Sequence, residues 1–190
     1  MENLFPLIAK FLPENSSFLD KYLAILKETP CIKKPIYIYI SRVALDYTQI
    51  TETITRCNWD LDEILSQHNN YVEVILKQMK QLIADVESLS LKSSLKAKTL
   101  NTLLEQCTRF IMRMLVDGYS SVRKCSNEGR ALMQLDFQQL VVKLEKMCNI
   151  RPIPDKDYVE SYIKAFYMPD ASIEKWIKEH PVCDDFLKFN

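Results

Sequence analysis

The stretch LSQHNNYVEVILKQMKQLIADVESL, residues 65–89, decides the fold. Leu65, His68, Val72, Ile75, Met79, Leu82, Val86 and Leu89 recur in it at alternating steps of three and four. That spacing lays one apolar stripe along a helix and keeps it facing a partner helix for several turns.

The same spacing extends in both directions. Toward the N-terminus it runs through Ile36, Ile40, Val43, Tyr47, Ile50, Ile54 and Cys57, predicting a long helix that opens at Pro35, whose fixed φ suits a first helical position. The alternation Ile36-Tyr37-Ile38-Tyr39-Ile40 would suit a strand by residue preference, but the stripe continues for further turns and helix is expected. Residues 1–30 read as two short helices, the second over about Ser17–Lys27 behind Ser16 as N-cap, with Pro30 as its stop. Asn58 or Asp60 marks a break near Trp59, after which Asp60, Asp62 and Glu63 read as first-turn acids complementing a helix dipole.

Toward the C-terminus, serines 88–94 predict a turn. Leu100, Leu104, Cys107, Ile111, Met114 and Gly118 then form a stripe widened by Leu103, Phe110 and Leu115. A further helix carrying Met133, Phe137, Leu140, Leu144 and Met147 is expected behind Ser126. A break between Tyr119 and Gly129 is preferred to one helix of about 50 residues. Ile150-Arg-Pro-Ile-Pro-Asp155 should be extended, because each proline biases its predecessor away from the helical region. Asp155 is placed to cap a helix over Tyr158–Tyr167, and Asp170 or Ser172 to cap a last one carrying Ile173, Trp176 and Ile177. The expectation is an all-α, elongated antiparallel helical bundle. Its main part covers 1–149 (short helices in 1–30, long ones in 35–149), with a proline-punctuated extension over 150–190. Val43, Tyr47, Ile75, Met79, Leu104, Ile111, Phe137 and Leu144 are its expected core.

Composition agrees and excludes several function classes. Hydrophobic residues make up 47% of 190, enough for a folded core. Lys plus Arg and Asp plus Glu both number 25, so no overall field favours nucleic acid. Two glycines are too few for a turn-rich sheet protein. Six cysteines without a Cys-x-x-Cys pair read as free thiols of a reducing, cytoplasmic compartment, not as zinc ligands. The N-terminus is unlike a secretory signal, and no apolar run is long enough to span a bilayer.

Catalytic chemistry finds little to work with. His68 and His180 are the sole imidazoles, the first on an apolar stripe and the second beside Pro181, neither with a catalytic neighbourhood. Phosphate-loop, nucleophile-elbow and zinc-protease sequences do not occur. The chain reads as a non-enzyme without cofactor or metal. Arg109 and Arg113, one helical turn apart, would form a basic patch with Lys96 or Lys98, although a solvated face explains them equally. Trp176, Ile173 and Ile177 offer either a partner anchor or packing under the bundle. Tyr158, Tyr162, Phe166 and Tyr167 add rigid aromatic area beside them.

Two stretches are more specific. GYSSVRKCSNEGRALMQLDFQQ at 118–139, followed by IRPIPDK and then WIKEH, and WDLDEILSQHNNYVE at 59–73, resemble the C-terminal region of the syndetin family. Residues 1–58 carry less of the likeness, and PVCDDFLKFN after His180 departs from it. The resemblance implies stacked helical bundles like those of exocyst and Golgi tethers, within a longer protein. It also implies a subunit of an endosome-associated recycling tether, working in endosomal recycling and retrograde traffic, peripherally on recycling endosomes and the trans-Golgi network. Its implied partners are other tether subunits and trafficking proteins, such as fusion proteins or small GTPases. A helical lipid- or small-ligand-binding domain at membranes is the alternative.

Overall fold

The computed structural model describes residues 16–92, 97–169, 172 and 175. Among them every regular element is an α-helix: α1 (Ser16–Ala44), α2 (Tyr47–Arg56), α3 (Asn70–Lys92), α4 (Ala97–Ser120), α5 (Asn127–Cys148) and α6 (Lys156–Ala165). The all-α class holds. The chain divides into two units, Met1–Tyr39 and Ile40–Asn190. Most of α1 belongs to the first, and the remaining helices form the second.

Several boundaries differ from expectation. Pro30 does not stop a helix, and Pro35 does not open one, because α1 runs through both. Each proline deprives the carbonyl four residues earlier of its helical donor, but this part of α1 is largely exposed, where water can satisfy the carbonyls of Leu26 and Cys31. The long helix expected from Pro35 instead breaks at Leu45–Asp46. Asp46 caps α2 by accepting from the Gln49 amide at 2.9 Å, and Gln78 of α3 clamps the junction by accepting from the Asp46 amide and donating to Gln49. The break resets the helical phase. Ile50 and Ile54 turn fully inward, while Val43 and Tyr47, expected in the core, remain exposed, Val43 by 69%. Ile75, Met79, Ile111, Phe137 and Leu144 are buried as expected, and Leu104 is half-buried.

Residues 57–69 also depart from the prediction, being irregular where a first helical turn with Asp60, Asp62 and Glu63 was expected. Leu65 is exposed there, and α3 starts only at Asn70. At its far end α3 continues past Ser88 and Ser90 to Lys92; residues 93–96 lie outside the described set. The break after Tyr119 is present, with Ser126 as the N-cap of α5. The 150–155 linker is bent, not extended: Asn149 and Asp155 take the left-handed conformation and Pro152 follows a cis peptide bond. Asn and Asp tolerate positive φ better than most residues. Asp155 precedes α6 without a side-chain cap bond.

Packing within the second unit follows a regular rule. The principal pairs are α2 with α4, α3 with α5, α4 with α6, α2 with α3, and α5 with α6. Tyr47 stacks on Phe110 while Ile54 meets Gly118, so α2 and α4 run the same way. Asn69 meets Asp136 and Glu73 meets Lys143, giving α3 and α5 the same relation. Arg109 pairs with Asp155 while Tyr119 stacks on Tyr162, which makes α4 and α6 parallel too. Gln49 with Gln78 and Trp59 with Tyr71 set α2 antiparallel to α3. Consecutive helices therefore alternate in direction and every second helix stacks in parallel, the arrangement of stacked helix pairs.

Both glycines of the chain serve close approach. A Cβ on Gly129 would lie 1.9 Å from the Trp59 carbonyl oxygen, and one on Gly118 would lie 2.7 Å from the end of the Ile54 side chain. Backbone cannot move aside as a side-chain tip can. Gly129→Ala should therefore cost more than Gly118→Ala, on the order of the 1–3 kcal/mol typical of overpacking, in urea unfolding of the 190-residue chain. Equal losses would show that the Trp59 loop yields freely.

Candidate interaction surfaces

A hydrogen-bonded knot at the centre of the second unit positions its surfaces. The Trp59 carbonyl accepts from the Ser126 amide at 3.0 Å and from the Ser126 hydroxyl at 3.3 Å. That hydroxyl in turn accepts from the amides of Leu61 and Gly129, both at 3.0 Å. One donor and two acceptor positions are thus used, the full capacity of a serine. The Trp59 indole donates to the Ile54 carbonyl at 2.8 Å, closing the end of α2.

Beneath the knot lies a buried polar chain. The hydroxyls of Tyr71 and Tyr119 are 2.7 Å apart, and Tyr71 also hydrogen-bonds Asp136. Asp136 is fully buried and accepts from the Asn69 amide at 3.0 Å and the Asn69 side chain at 2.9 Å. Because an ionised carboxylate only accepts, Tyr71 donates to Asp136 and Tyr119 donates to Tyr71. Burial pushes both tyrosines well above their ordinary range. The rings of Trp59, Tyr71 and Tyr119 pack within 6.0–6.3 Å of one another.

The stack extends from this centre to α6. Arg130, buried, holds its guanidinium 4.2 Å from the Phe166 ring centre and 6.0 Å from that of Tyr162, a cation–π attachment that is stronger when desolvated. Among the described residues its Nε has no hydrogen-bond partner. Phe166 and Tyr167 are exposed.

The residues proposed for binding fall in different places. Arg109 joins Asp155 at 2.5 Å, tying α4 to the start of α6. Arg113 acts on Asp117, whose carboxyl burial raises against the opposing pull of Tyr47 and Arg113. Lys98 is exposed on the first turn of α4. Trp176, Ile173 and Ile177, like Lys96 and His180, lie outside the described residues. His68 stands before α3, its Nε2 2.9 Å from Lys143 Nζ and 3.3 Å from Glu73, not on the helical stripe.

A second surface was not foreseen. Between α3 and α5 runs an open groove of about 580 Å³, lined by Glu73, Leu76, Lys77, Lys80, Lys143, Lys146 and Met147. The lysine pairs 77/80 and 143/146 are visible in the sequence, but the parallel packing that brings them to one groove is tertiary. A smaller hollow of about 440 Å³ adjoins the Trp59 loop, with Cys57, Asp60, Arg123 and Lys124 on its wall. Burial pushes the Cys57, Cys107 and Cys148 thiols up to about 11, far from a reactive thiolate. No group of three or more His, Cys, Asp or Glu suited to a metal occurs among the described residues, and no helix searched there is long and apolar enough to cross a membrane.

The two stretches that carry the sequence resemblance, 59–73 and 118–139, are those joined by the knot. Comparison with known proteins agrees with them: the family model for the C-terminal region of syndetin matches residues 1–186. The chain belongs to the syndetin C-terminal family. Rat syndetin is 49% identical over 149 residues, covering 78% of this chain and 16% of the relative. Mouse and chicken syndetins are each 48% identical with the same coverage. The chain thus spans about a sixth of the length of these syndetins. No solved structure matches it. The syndetin match begins at residue 1 and runs to 186, so it takes in the weakly distinctive 1–58 and part of the segment after His180 that was expected to depart.

The buried carboxylate generates a prediction. Burial raises the Asp136 carboxyl above its ordinary range, outweighing the hydrogen bonds from Asn69 and Tyr71 and the nearby His68. A carboxyl that holds its proton more tightly when folded adds stability that is complete below the unfolded value of about 3.9 and is lost as pH rises through the folded value. Asp136→Asn has no such proton. The stability advantage of the wild type over Asp136→Asn, from urea unfolding, should be larger near pH 4 than near pH 7; a larger advantage at pH 7 would contradict the sign.

Proposed function

We propose that this chain is a non-enzymatic interaction domain of a vesicle-tethering subunit acting in endosomal recycling and retrograde membrane traffic, peripherally at recycling endosomes and the trans-Golgi network. The family match over residues 1–186 carries the reading. Stacked helix pairs support it physically, since such stacks present long helix faces to other proteins. Buried Cys107 and Cys148 and half-buried Cys57, with thiols held near 11, are poor nucleophiles. In this reading the partners are other subunits of the tether and trafficking proteins such as fusion proteins or small GTPases, and Trp176, Ile173 and Ile177 are anchors toward them. Arg109 and Arg113 serve only as the rim of such a contact, because Arg109 is already engaged by Asp155. That engagement also disfavours the lipid-binding alternative, which needs both arginines for headgroups.

The test uses the full-length protein in cells. Deleting the segment equivalent to this chain should slow the return of an internalised receptor to the cell surface and reduce co-precipitation of at least one tether subunit or trafficking protein. Normal recycling with unchanged co-precipitation would refute the proposal. Trp176→Ala should lower that co-precipitation severalfold and leave the melting temperature of the 190-residue chain unchanged. A large fall in melting temperature would instead make Trp176 a core residue.

A further inference from the structure

The groove between α3 and α5 concentrates positive charge in a chain whose charges balance. Lys77 and Lys80 line it from α3 and Lys143 and Lys146 from α5, with Glu73 the one acid on its wall. Glu73 is used by Lys143, at 2.6 Å, and that lysine's hydrogen bond holds the Glu73 carboxyl below its ordinary range. Lys77, Lys80 and Lys146 have no ion partner among the described residues. Gathering like charges on neighbouring helices does not help them pack, since Lys77, Lys80 and Lys146 meet repulsion there and gain no counter-ion among the described residues.

The floor of the groove is apolar. Leu76, buried, and Met147, half-buried, line it beside the lysines. Glu73 to Lys80 covers two turns of α3, about 10 Å at 1.5 Å per residue. A recess with a thioether and aliphatic floor and lysines at its rim matches the two faces of a short amphipathic helix. Apolar residues at i, i+3 and i+4 would enter the floor, and flanking acids would meet the lysines. A bilayer surface, being flat, would reach the lysines but not Leu76.

We propose that the α3/α5 groove docks an acidic amphipathic helix of a partner protein, with Lys77, Lys80 and Lys146 pairing its carboxylates and Leu76 and Met147 receiving its apolar side. The inference rests on the reading of this chain as an interaction domain, and it requires no particular complex.

The probe is a fluorescein-labelled peptide of about 14 residues, leucines at helical spacing and glutamates between them, titrated with the 190-residue chain. Two control peptides have the same residues in scrambled order or lysine in place of glutamate. Phosphatidylserine vesicles provide the lipid arm. The patterned acidic peptide should bind, should weaken as salt is raised, and should lose about tenfold in affinity in the Lys77→Glu/Lys146→Glu double variant. Both lysines are exposed, so that variant should melt as the wild type does. Equal binding of the scrambled peptide, or no loss in the double variant, would overturn the proposal. So would vesicle binding or self-association that the double variant abolishes while the peptide is ignored. Peptide titration reads the groove alone and the cell assay reads the tethering role, so either can fail without the other.

Discussion

Everything in the second unit is referred to the carbonyl oxygen of Trp59. It sits at the crossing of two distant stretches of chain, receiving the amide and hydroxyl of Ser126 so closely that only a glycine fits at position 129. The loop around Trp59 is not regular by itself. Residues 57–69 have no ladder of their own, and the Trp59 carbonyl and the Leu61 amide find their partners at Ser126, where α5 begins. A buried backbone group without a partner is costly, so the loop and the α5 terminus must be placed together or not at all.

From that point the direction of the helices follows. Once Trp59 is held against Ser126, α2 arrives and α5 departs at the same place, and Asn69 is brought to Asp136. Those two bonds fix α3 alongside α5 in parallel. The Tyr71–Tyr119 pair then draws the end of α4 into the same centre, and Tyr119 carries the order onward to Tyr162 of α6. Helix stacking is usually discussed as apolar packing. Here burial supplies most of the driving force, while a short polar chain selects which helices lie side by side, the use of buried polar groups best attested elsewhere. The exposed basic groove is a by-product of that selection, since it exists only where α3 and α5 run together.

Much of this was readable in the residues, and the exceptions have physical causes. Stripes in α3, α4 and α5 are legible because their period is uninterrupted and their ends carry ordinary signals, as Ser126 does for α5. The break at Asp46 was hidden because Ile50 follows Tyr47 at helical spacing, so the stripe looked continuous; the N-cap pair Asp46 and Gln49 was the signal passed over. Once the phase reset, Val43 could not share a face with Ile54, whereas Tyr47 keeps that face but sits at the very start of α2, stacked on Phe110 and partly exposed. The Trp59 loop left no periodic trace, because its partners lie 65 and 67 positions away. Arg109 looked like surface charge for the same reason, its partner Asp155 being far along the chain. Both glycines stand where a Cβ would collide with a neighbouring segment, which their scarcity in the sequence does not reveal.

Amide hydrogen exchange of Leu61 and Ser126, followed by nuclear magnetic resonance at increasing urea, tests the central claim most directly. If the Trp59 knot holds the second unit together, both amides exchange only through global unfolding and share their urea dependence with the buried helical amides of Ile111 and Phe137. Exchange of Leu61 and Ser126 at rates near those of an unprotected peptide, with Ile111 and Phe137 still protected, would show the knot to be a surface loop and would contradict the account.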